Sequence, residues 1–335
     1  MSDELQRLLE SGRTQGVYTG ASLCVVRDGS VVIDLSVPEG RHLFDLASLT
    51  KAFTAIRVLQ ERQLDDRIDW LQGAPSVGQL LSHSSGLPAW RPLFAHAARR
   101  LNTTVPQLAA NGSNDVVQIF RELIATTPTT APRPTYSDLG FIALGIEVGP
   151  LFRRESHAPH VPTGVGRPRQ GNPDVEPEAV RAVAGDPAAQ DDGPDDDNAA
   201  CLAGLAGHAG SFSTAMRVAR MGDRLRRDAE GENLEPWFLS RDKAELMFTR
   251  VAGSRTYGLD TPSGDNPSIG SILGRGPKGA AGHLGFTGCS LWIDRDAKLS
   301  IAFLTNAVLL ERPSSKIRSF RPSVHDAVAR SLGIG

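Results

Sequence analysis

The stretch Ser48-Leu49-Thr50-Lys51 carries the most information in this chain. It opens a segment, reaching to about Gln63, in which apolar residues recur at helical spacing and predict a helix. Serine is a preferred N-cap residue, and residues three apart share a helix face, so the Lys51 amine is expected to reach the Ser48 hydroxyl. A lysine whose pKa is lowered by burial and nearby cations can activate a serine nucleophile. Taken alone, the pattern is more often an N-cap serine followed by a surface lysine.

The segment Tyr136-Ser137-Asp138 follows a proline-containing stretch over 132–135 that is expected to be extended. A tyrosine that lies close to two cations loses its proton more easily and is able to act as a general base. The competing interpretation is an ordinary buried tyrosine.

Residues 282–288 read Gly-His-Leu-Gly-Phe-Thr-Gly and open a strand that the alternation of apolar residues predicts over 284–293. Glycine at position 285 would let a substrate lie close against that strand as an added partner. His283 would place a pH-dependent cation or hydrogen-bond donor beside the substrate. The competing interpretation is a strand start that is rich in turn residues.

The composition is that of an ordinary globular protein. Of the 335 residues, 40% are hydrophobic and 22% are charged, and the formal net charge is −2. A nucleic-acid surface needs a clear basic excess, so no nucleic-acid partner is expected. The cysteines, Cys24, Cys201 and Cys289, are odd in number and widely spaced, which argues against a disulfide framework or a zinc site. His157 and His160 lack a helical frame and a third ligand, so we expect no metal and no other cofactor.

The N-terminus is charged and amphipathic, without the apolar core of a signal peptide. No apolar run approaches the length of a membrane span. We therefore expect a cytoplasmic protein with no membrane partner.

Strand signals lie at both ends of the chain, with helical signals between them. An Asp-Gly step between apolar runs predicts a hairpin over 21–36, and another strand is predicted over 299–304. Helices are predicted over 3–10, 48–63, 76–82, 90–101, 114–126, 139–148, 213–228, 240–249 and 322–332. Residues 153–198, rich in Pro, Gly, Asp and Arg, predict a long irregular loop that is either solvated or a substrate-facing rim. This order predicts an α+β fold, with an antiparallel sheet made from the N- and C-terminal segments, flanking helices and an inserted, mainly helical region.

In their order and spacing, the three groups of residues resemble the serine β-lactamase and penicillin-binding protein family, most closely its class C and esterase branch. Residues 80–88, 136–145, 207–214 and 282–294 resemble segments of that family. The resemblance covers about residues 15–310 and is weakest over 153–198. It implies a β-lactamase/transpeptidase-like fold. We expect one catalytic domain over 1–335, with an α/β part at 1–62 plus 255–335 and a mainly helical part at 63–254.

The resemblance implies a serine hydrolase that transfers an acyl group in two steps. Ser48 would attack a carbonyl, and Lys51 and Tyr136 would move the proton to and from it. The backbone N–H groups of Ser48 and Phe286 would form the oxyanion hole. Water would then hydrolyse the acyl-enzyme, or another nucleophile would take the acyl group. The positions that match the family's substrate-binding residues are Asp138, His283, Leu284 and Gly285.

Two departures from the family's pattern shape the expected activity. The class C pattern is Tyr-x-Asn, and Asp138 takes the place of the asparagine, where it would hold Lys51 charged and shift the role of base to Tyr136. The family's Lys-Thr-Gly becomes His-Leu-Gly at 283–285, in which the leucine supplies no hydroxyl and the histidine is a weaker cation. We therefore expect esterase-like hydrolysis of a small ester or amide. The alternatives are β-lactamase or D-Ala-D-Ala carboxypeptidase activity, acyl transfer to a small acceptor, and a catalytically retired binding protein. A small-molecule substrate is the expected partner, and the oligomeric state stays open.

Overall fold

Strands from the two ends of the chain and helices between them make up the structure, a computed structural model that describes residues 2–40, 42–111, 113–129, 134–149, 164–165, 180–181, 194–202, 204–232, 238–264 and 267–335. The strands are β1 (Ala21–Arg27), β2 (Ser30–Val37), β3 (His42–Asp45), β4 (Gly164–Val165), β5 (Val180–Arg181), β6 (Ser211–Ser213), β7 (Ala280–Leu284), β8 (Ser290–Asp294) and β9 (Leu299–Thr305). The helices are α1 (Ser2–Thr14), α2 (Thr50–Glu61), α3 (Val77–Leu81), α4 (Leu93–Arg100), α5 (Val105–Asn111), α6 (Asn114–Ala125), α7 (Asp138–Val148), α8 (Asp197–Cys201), α9 (Ala215–Ala229), α10 (Arg241–Leu246) and α11 (Lys316–Ser331). Short 3-10 turns lie at Ala47–Leu49 and Ala307–Leu309.

Five strands form one antiparallel sheet in the order β2-β1-β9-β8-β7. Its first two strands come from the N-terminal segment and are joined by a turn in which Asp28 and Gly29 both have positive φ (49° and 85°), as an Asp-Gly hairpin step favours. The other three strands come from the C-terminal segment. The predicted α+β fold, with a sheet built from both chain ends, is therefore confirmed. A second sheet, in the order β4-β6-β3-β5, contains the strand that leads to Ser48.

Helices cover both faces of the five-stranded sheet, so its central strands are buried on both sides. On β1, Cys24 and Val26 belong to a core that includes residues of α2, α7 and α9. Leu23 and Val25 point to the other face and belong to a core that includes residues of α1 and α11. This alternation follows from the two-residue period of a strand. Within the first core, α2 and α7 pack against each other, which brings together the two helices that carry Lys51 and Asp138.

The prediction of one strand over 284–293 is wrong, because the chain reverses within it. Two strands, β7 and β8, pair with each other, and residues 285–289 form the turn between them. Gly288 donates its N–H to the Gly285 carbonyl (3.0 Å) and has a φ of 105°, which favours glycine. The apolar alternation runs on through the turn, so the pattern does not mark the reversal. Gly285 therefore lies beyond the end of β7, not inside a strand.

Other differences concern helices. The closing helix α11 begins at Lys316 and holds Pro322 inside it, whereas the sequence predicts a start at the proline. Ile317 packs into the core under the sheet, and this burial extends the helix before the proline. Helices α5 and α8 were not predicted.

Within the described ranges, no helix combines the length and the apolar character that a membrane crossing requires.

Most of the predicted loop over 153–198, with His157 and His160, lies outside the described residues. Within it, the structure describes the two-residue strands β4 and β5 and three residues of an acidic cluster, Asp195, Asp196 and Asp197. There Asp196 is the N-cap of α8 and accepts the Ala199 N–H (2.8 Å), so this part of the cluster stabilises a helix end.

Candidate active site

Ser48 lies in a tight turn between β3 and α2. Ala47 has a positive φ of 44°, and the chain then forms the 3-10 turn that contains Ser48 before α2 begins at Thr50. The prediction that Ser48 is the N-cap of this helix is wrong, since Leu49 holds that position and no side chain caps it. The serine hydroxyl is therefore not used by a cap, and the residue is half-buried.

Lys51 is completely buried beside Ser48. Its Nζ donates to Ser48 Oγ (3.0 Å) and to the His208 carbonyl (2.9 Å), and it lies 2.7 Å from Asp138 Oδ1. Burial lowers the pKa of Lys51, but its interactions with Tyr136 and Asp138 outweigh burial and raise that pKa above its usual value. Lys51 is therefore an ammonium ion in the resting protein, not the deprotonated amine that its spacing from Ser48 first suggests.

Two backbone hydrogen bonds fix the extended segment that carries the predicted tyrosine. The Thr135 N–H donates to the His83 carbonyl (3.0 Å), and the Asp138 N–H donates to the Ala89 carbonyl (2.8 Å). Ser137 caps α7, since its hydroxyl accepts the N–H of the residue three positions on. The segment is therefore held against the loop that follows α3, with Tyr136 facing Lys51.

The Tyr136 side chain interacts with the side chains of Ser48 and Lys51. The Lys51 Nζ also lies 4.8 Å from the centre of the tyrosine ring. Burial raises the pKa of Tyr136 by more than the Lys51 ammonium lowers it, and the Asp138 charge raises it further. The phenol is therefore protonated at rest. Because the three side chains interact with one another, the loss of one proton belongs to the group and not to a single residue.

Arg255 is a second cation beside Tyr136, and no pattern in the sequence singles it out. Its Cζ lies 5.0 Å from the centre of the tyrosine ring. Its Nη1 donates to both carboxylate oxygens of Asp260 (2.6 and 2.5 Å), and Asp260 pairs through its backbone with Gly282 on β7. The contact between Arg255 and Tyr136 joins distant parts of the chain, so no local pattern predicts it.

The two histidines of the site, His83 and His283, are neutral. Burial, together with the positive charges of Lys51 and Arg255, lowers the pKa of His83 to about 2 and that of His283 to about 3. Nδ1 of His283 lies 2.8 Å from the Leu284 carbonyl oxygen, so Nδ1 carries the hydrogen and Nε2 is left as an acceptor. The expectation that His283 is a pH-dependent cation is therefore wrong, because it is buried next to permanent cations.

The turn that follows β7 lies against the Ser48 segment. A Cβ on Gly285 would stand 2.5 Å from the Leu46 carbonyl oxygen, so glycine is required by this close approach. On either side of this glycine, Leu284 is 38% and Phe286 48% exposed, which places two apolar side chains at the rim. Within the part of the chain that the structure describes, the N–H groups of Ser48 and Phe286 donate to no other protein group.

His208 and Asp196 lie behind Lys51. His208, which accepts a hydrogen bond from Lys51 through its carbonyl, is buried, and its Nε2 lies 2.9 Å from Asp196 Oδ1. Burial raises the pKa of Asp196, but the charge and hydrogen bond of His208 lower it to about 2. A Cβ on Gly207 would stand 2.3 Å from the carbonyl oxygen of Phe141, so the backbone next to His208 packs directly on α7.

The described residues contain no cluster of side chains that fits a metal ion.

The fold corresponds to one known family. The model of the Beta-lactamase family matches residues 5–321, which is nearly the whole chain. The chain belongs to the β-lactamase family. A search of curated proteins finds no match.

Solved structures of this fold are similar over nearly the whole chain. SurE, in a crystal structure with D-Leu, has a TM-score of 0.66 and 22% identity, covering 99% of this chain and 75% of SurE. A D-amino acid amidase from Ochrobactrum anthropi SV3, complexed with L-phenylalanine amide, has a TM-score of 0.63 and 20% identity, covering 98% and 99% of the two chains. EstCE1, described as a hydrolase with promiscuous acyltransferase activity, has a TM-score of 0.59 and 18% identity, covering 96% and 98%. At these identities the likeness shows the fold alone.

In this β-lactamase-family chain, the structure brings the predicted residues Ser48, Lys51, Tyr136, Asp138 and His283 into one cluster. Gly285 and Phe286 lie on the adjoining turn, and Leu284 lies at its exposed rim.

Proposed function

We propose that this protein is a serine hydrolase that forms an acyl-enzyme on Ser48 and hydrolyses a small, neutral ester or amide. One observation carries the proposal: the Ser48 hydroxyl lies 3.0 Å from the buried Lys51 Nζ and also interacts with the side chain of Tyr136. A hydroxyl held between two groups that exchange protons is what nucleophilic catalysis by serine requires.

The working form of the site has lost one proton from the Lys51–Tyr136 pair. This pair takes the proton of Ser48 as the serine oxygen bonds to the substrate carbonyl carbon. The carbonyl oxygen becomes an anion, which would accept hydrogen bonds from the N–H groups of Ser48 and Phe286. The bond to the leaving group then breaks, and the pair returns the proton to that group. A water molecule cleaves the acyl-enzyme by the same steps and frees Ser48.

The charges of the site favour a neutral substrate. Lys51 is paired with Asp138 and Arg255 with Asp260, while His283 carries no charge at neutral pH. These pairs engage both of the cations, Lys51 and Arg255, that lie beside Tyr136, so neither is free for a substrate carboxylate. β-Lactams and D-Ala-terminated peptides carry such a carboxylate, which makes the β-lactamase and carboxypeptidase alternatives weaker.

Two similar structures support the reaction class by what their names state of those proteins, a D-amino acid amidase and a hydrolase with promiscuous acyltransferase activity. The first favours an amide or ester substrate. The second keeps acyl transfer to a small acceptor as an alternative fate of the acyl-enzyme.

Labelling and turnover test the proposal together. Mass spectrometry after treatment with a fluorophosphonate should show one adduct, on Ser48, and the protein should cleave nitrophenyl esters faster than a chromogenic cephalosporin. Ser48→Ala should lose both properties, whereas Ser85→Ala, a half-buried serine in the loop after α3, should keep them. Full activity in Ser48→Ala would end the proposal. The absence of both adduct and turnover would favour a binding protein, and faster cleavage of the cephalosporin would favour a β-lactamase.

A further inference from the structure

Asp45 ends β3 three residues before Ser48, and both of its carboxylate oxygens are engaged. Oδ1 accepts the Ala47 N–H (2.8 Å), and Oδ2 accepts the Asp195 N–H (2.7 Å). Neither bond touches Ser48 directly. The first bond fixes the backbone just before Ser48, and the second ties Asp45 to the segment that contains Asp195.

The bond to Ala47 stabilises an unusual backbone conformation. Ala47 has a φ of 44°, a region that residues with a Cβ rarely adopt. An aspartate that accepts the N–H two residues on forms a local turn, which offsets the steric cost of this conformation. Strained residues of this kind cluster at functional sites and persist when neighbouring groups hold them. Ala47 directly precedes the N–H of Ser48, so the direction of that N–H depends on the turn.

The backbone of Asp45 contacts the other side of the proposed oxyanion hole. Its carbonyl oxygen accepts the Thr287 hydroxyl (2.7 Å) and lies 3.5 Å from Cys289 Sγ. Thr287 follows Phe286 directly in the turn after β7. One residue therefore binds the segment before Ser48 through its side chain and the segment after Phe286 through its carbonyl.

A second connection runs through Asp195. Its N–H is held by Asp45, and its carboxylate is bonded to the Arg312 guanidinium. Cζ of Arg312 lies 5.4 Å from the centre of the Phe286 ring. The side chain of Asp45 is thus linked to Phe286 independently of the Thr287 bond.

We propose that Asp45 is a positioning residue that holds the N–H groups of Ser48 and Phe286 at the spacing that an oxyanion requires. The inference rests on the proposed acyl transfer at Ser48 and extends it by naming what sets the geometry of the hole. Asp45 does not touch the substrate, and its effect passes through the backbone of Ala47 and the hydroxyl of Thr287.

Kinetics on a nitrophenyl ester give the first test. Asp45→Ala should lower kcat by about ten- to a hundredfold, since loss of one oxyanion donor has an effect of that size or larger, while KM changes little. Asp45→Asn keeps one acceptor oxygen and should recover part of kcat. Thr287→Val removes the bond to the Asp45 carbonyl and should also lower kcat. Asp69→Asn, an exposed carboxylate on the surface, is the matched control and should leave kcat unchanged.

Hydrogen exchange gives a second test that needs no catalysis. In Asp45→Ala, the amides of 46–49 and those of 285–288 should both exchange faster, with the rest of the β7–β8 pair unchanged. An unchanged kcat in a folded Asp45→Ala would overturn the proposal, and so would faster exchange in 46–49 alone. If wild-type protein neither turns over esters nor forms the Ser48 adduct, the proposed function fails. The exchange data then decide separately whether Asp45 joins the two segments.

Discussion

Replacing Asp138 with asparagine should move the activity of this protein to lower pH. The Asp138 carboxylate lies 2.7 Å from Lys51 Nζ, and its charge raises the pKa of both Lys51 and Tyr136. The proposed working form lacks one proton on that pair, so kcat/KM should rise with pH as the pair deprotonates. Removal of the negative charge makes this deprotonation easier, and the rise should begin at lower pH.

The geometry sets the size of the shift. Two unit charges 2.7 Å apart interact by about 6 kcal/mol at an effective dielectric constant near 20, which is a ceiling. Hydrogen bonds to charged groups contribute ~1.5–3 kcal/mol net, and 1.36 kcal/mol corresponds to one pH unit. The midpoint should therefore fall by roughly one to two pH units. Asparagine keeps an acceptor oxygen for Lys51, which favours the lower end of this range.

The assay is kcat/KM for a neutral nitrophenyl ester across the pH range in which the protein stays folded. Asp69→Asn, which removes an exposed carboxylate far from these contacts in the sequence, should keep the wild-type midpoint. Urea unfolding should accompany each profile, because Lys51 is buried and loses its charged partner in Asp138→Asn. A midpoint that stays in place or rises in the folded variant would refute the coupling of Asp138 to the Lys51–Tyr136 pair.

Three further outcomes follow from the site and the core. Arg255→Gln should lower kcat/KM about tenfold in steady-state kinetics, since a cation next to an aromatic ring contributes ~1–2 kcal/mol, and Arg255→Lys should lose less. Gly285→Ala should abolish most turnover, because its Cβ would stand 2.5 Å from the Leu46 carbonyl oxygen; Gly140→Ala, whose Cβ would meet only ordinary contacts at 3.5 Å, is the control. Burial lowers the pKa of His325 in the folded protein to about 3. The neutral ring therefore contributes its full stabilisation above the pKa of histidine in the unfolded chain, near 6.5. As the pH falls below that value, the free energy of unfolding decreases by ~1.4 kcal/mol per pH unit. His325→Gln should weaken the decline in urea stability between pH 7.5 and 5, and an unchanged decline would contradict this reasoning.

Local patterns account for much of the fold and for the first contact of the candidate site. The Asp28-Gly29 step predicts its hairpin, since those two residues tolerate the positive φ that the turn needs. Strands at both chain ends predict the sheet that the structure contains. The spacing of Ser48 and Lys51 predicts their contact, because residues three apart share a face of the helical turn.

The turn over 285–289 shows where local patterns fail. The alternation of apolar residues in β7 and β8 continues across it, so the sequence predicts one strand where there are two. The pairing of β7 with β8 in the sheet places residues 285–289 in a turn. The folded chain then brings Gly285 against the Leu46 carbonyl, a contact that no local pattern predicts.

The sequence by itself determined which residue types lie close together along the chain: the Ser48–Lys51 spacing, the tyrosine after its extended segment and the glycine at 285. The tertiary structure decided their states and their distant neighbours. It made Lys51 an ammonium ion and His283 a neutral ring, and it brought Arg255 to the tyrosine. The physical reason is that helix and strand periods act over a few residues, whereas burial and electrostatic interactions depend on groups that only folding brings together.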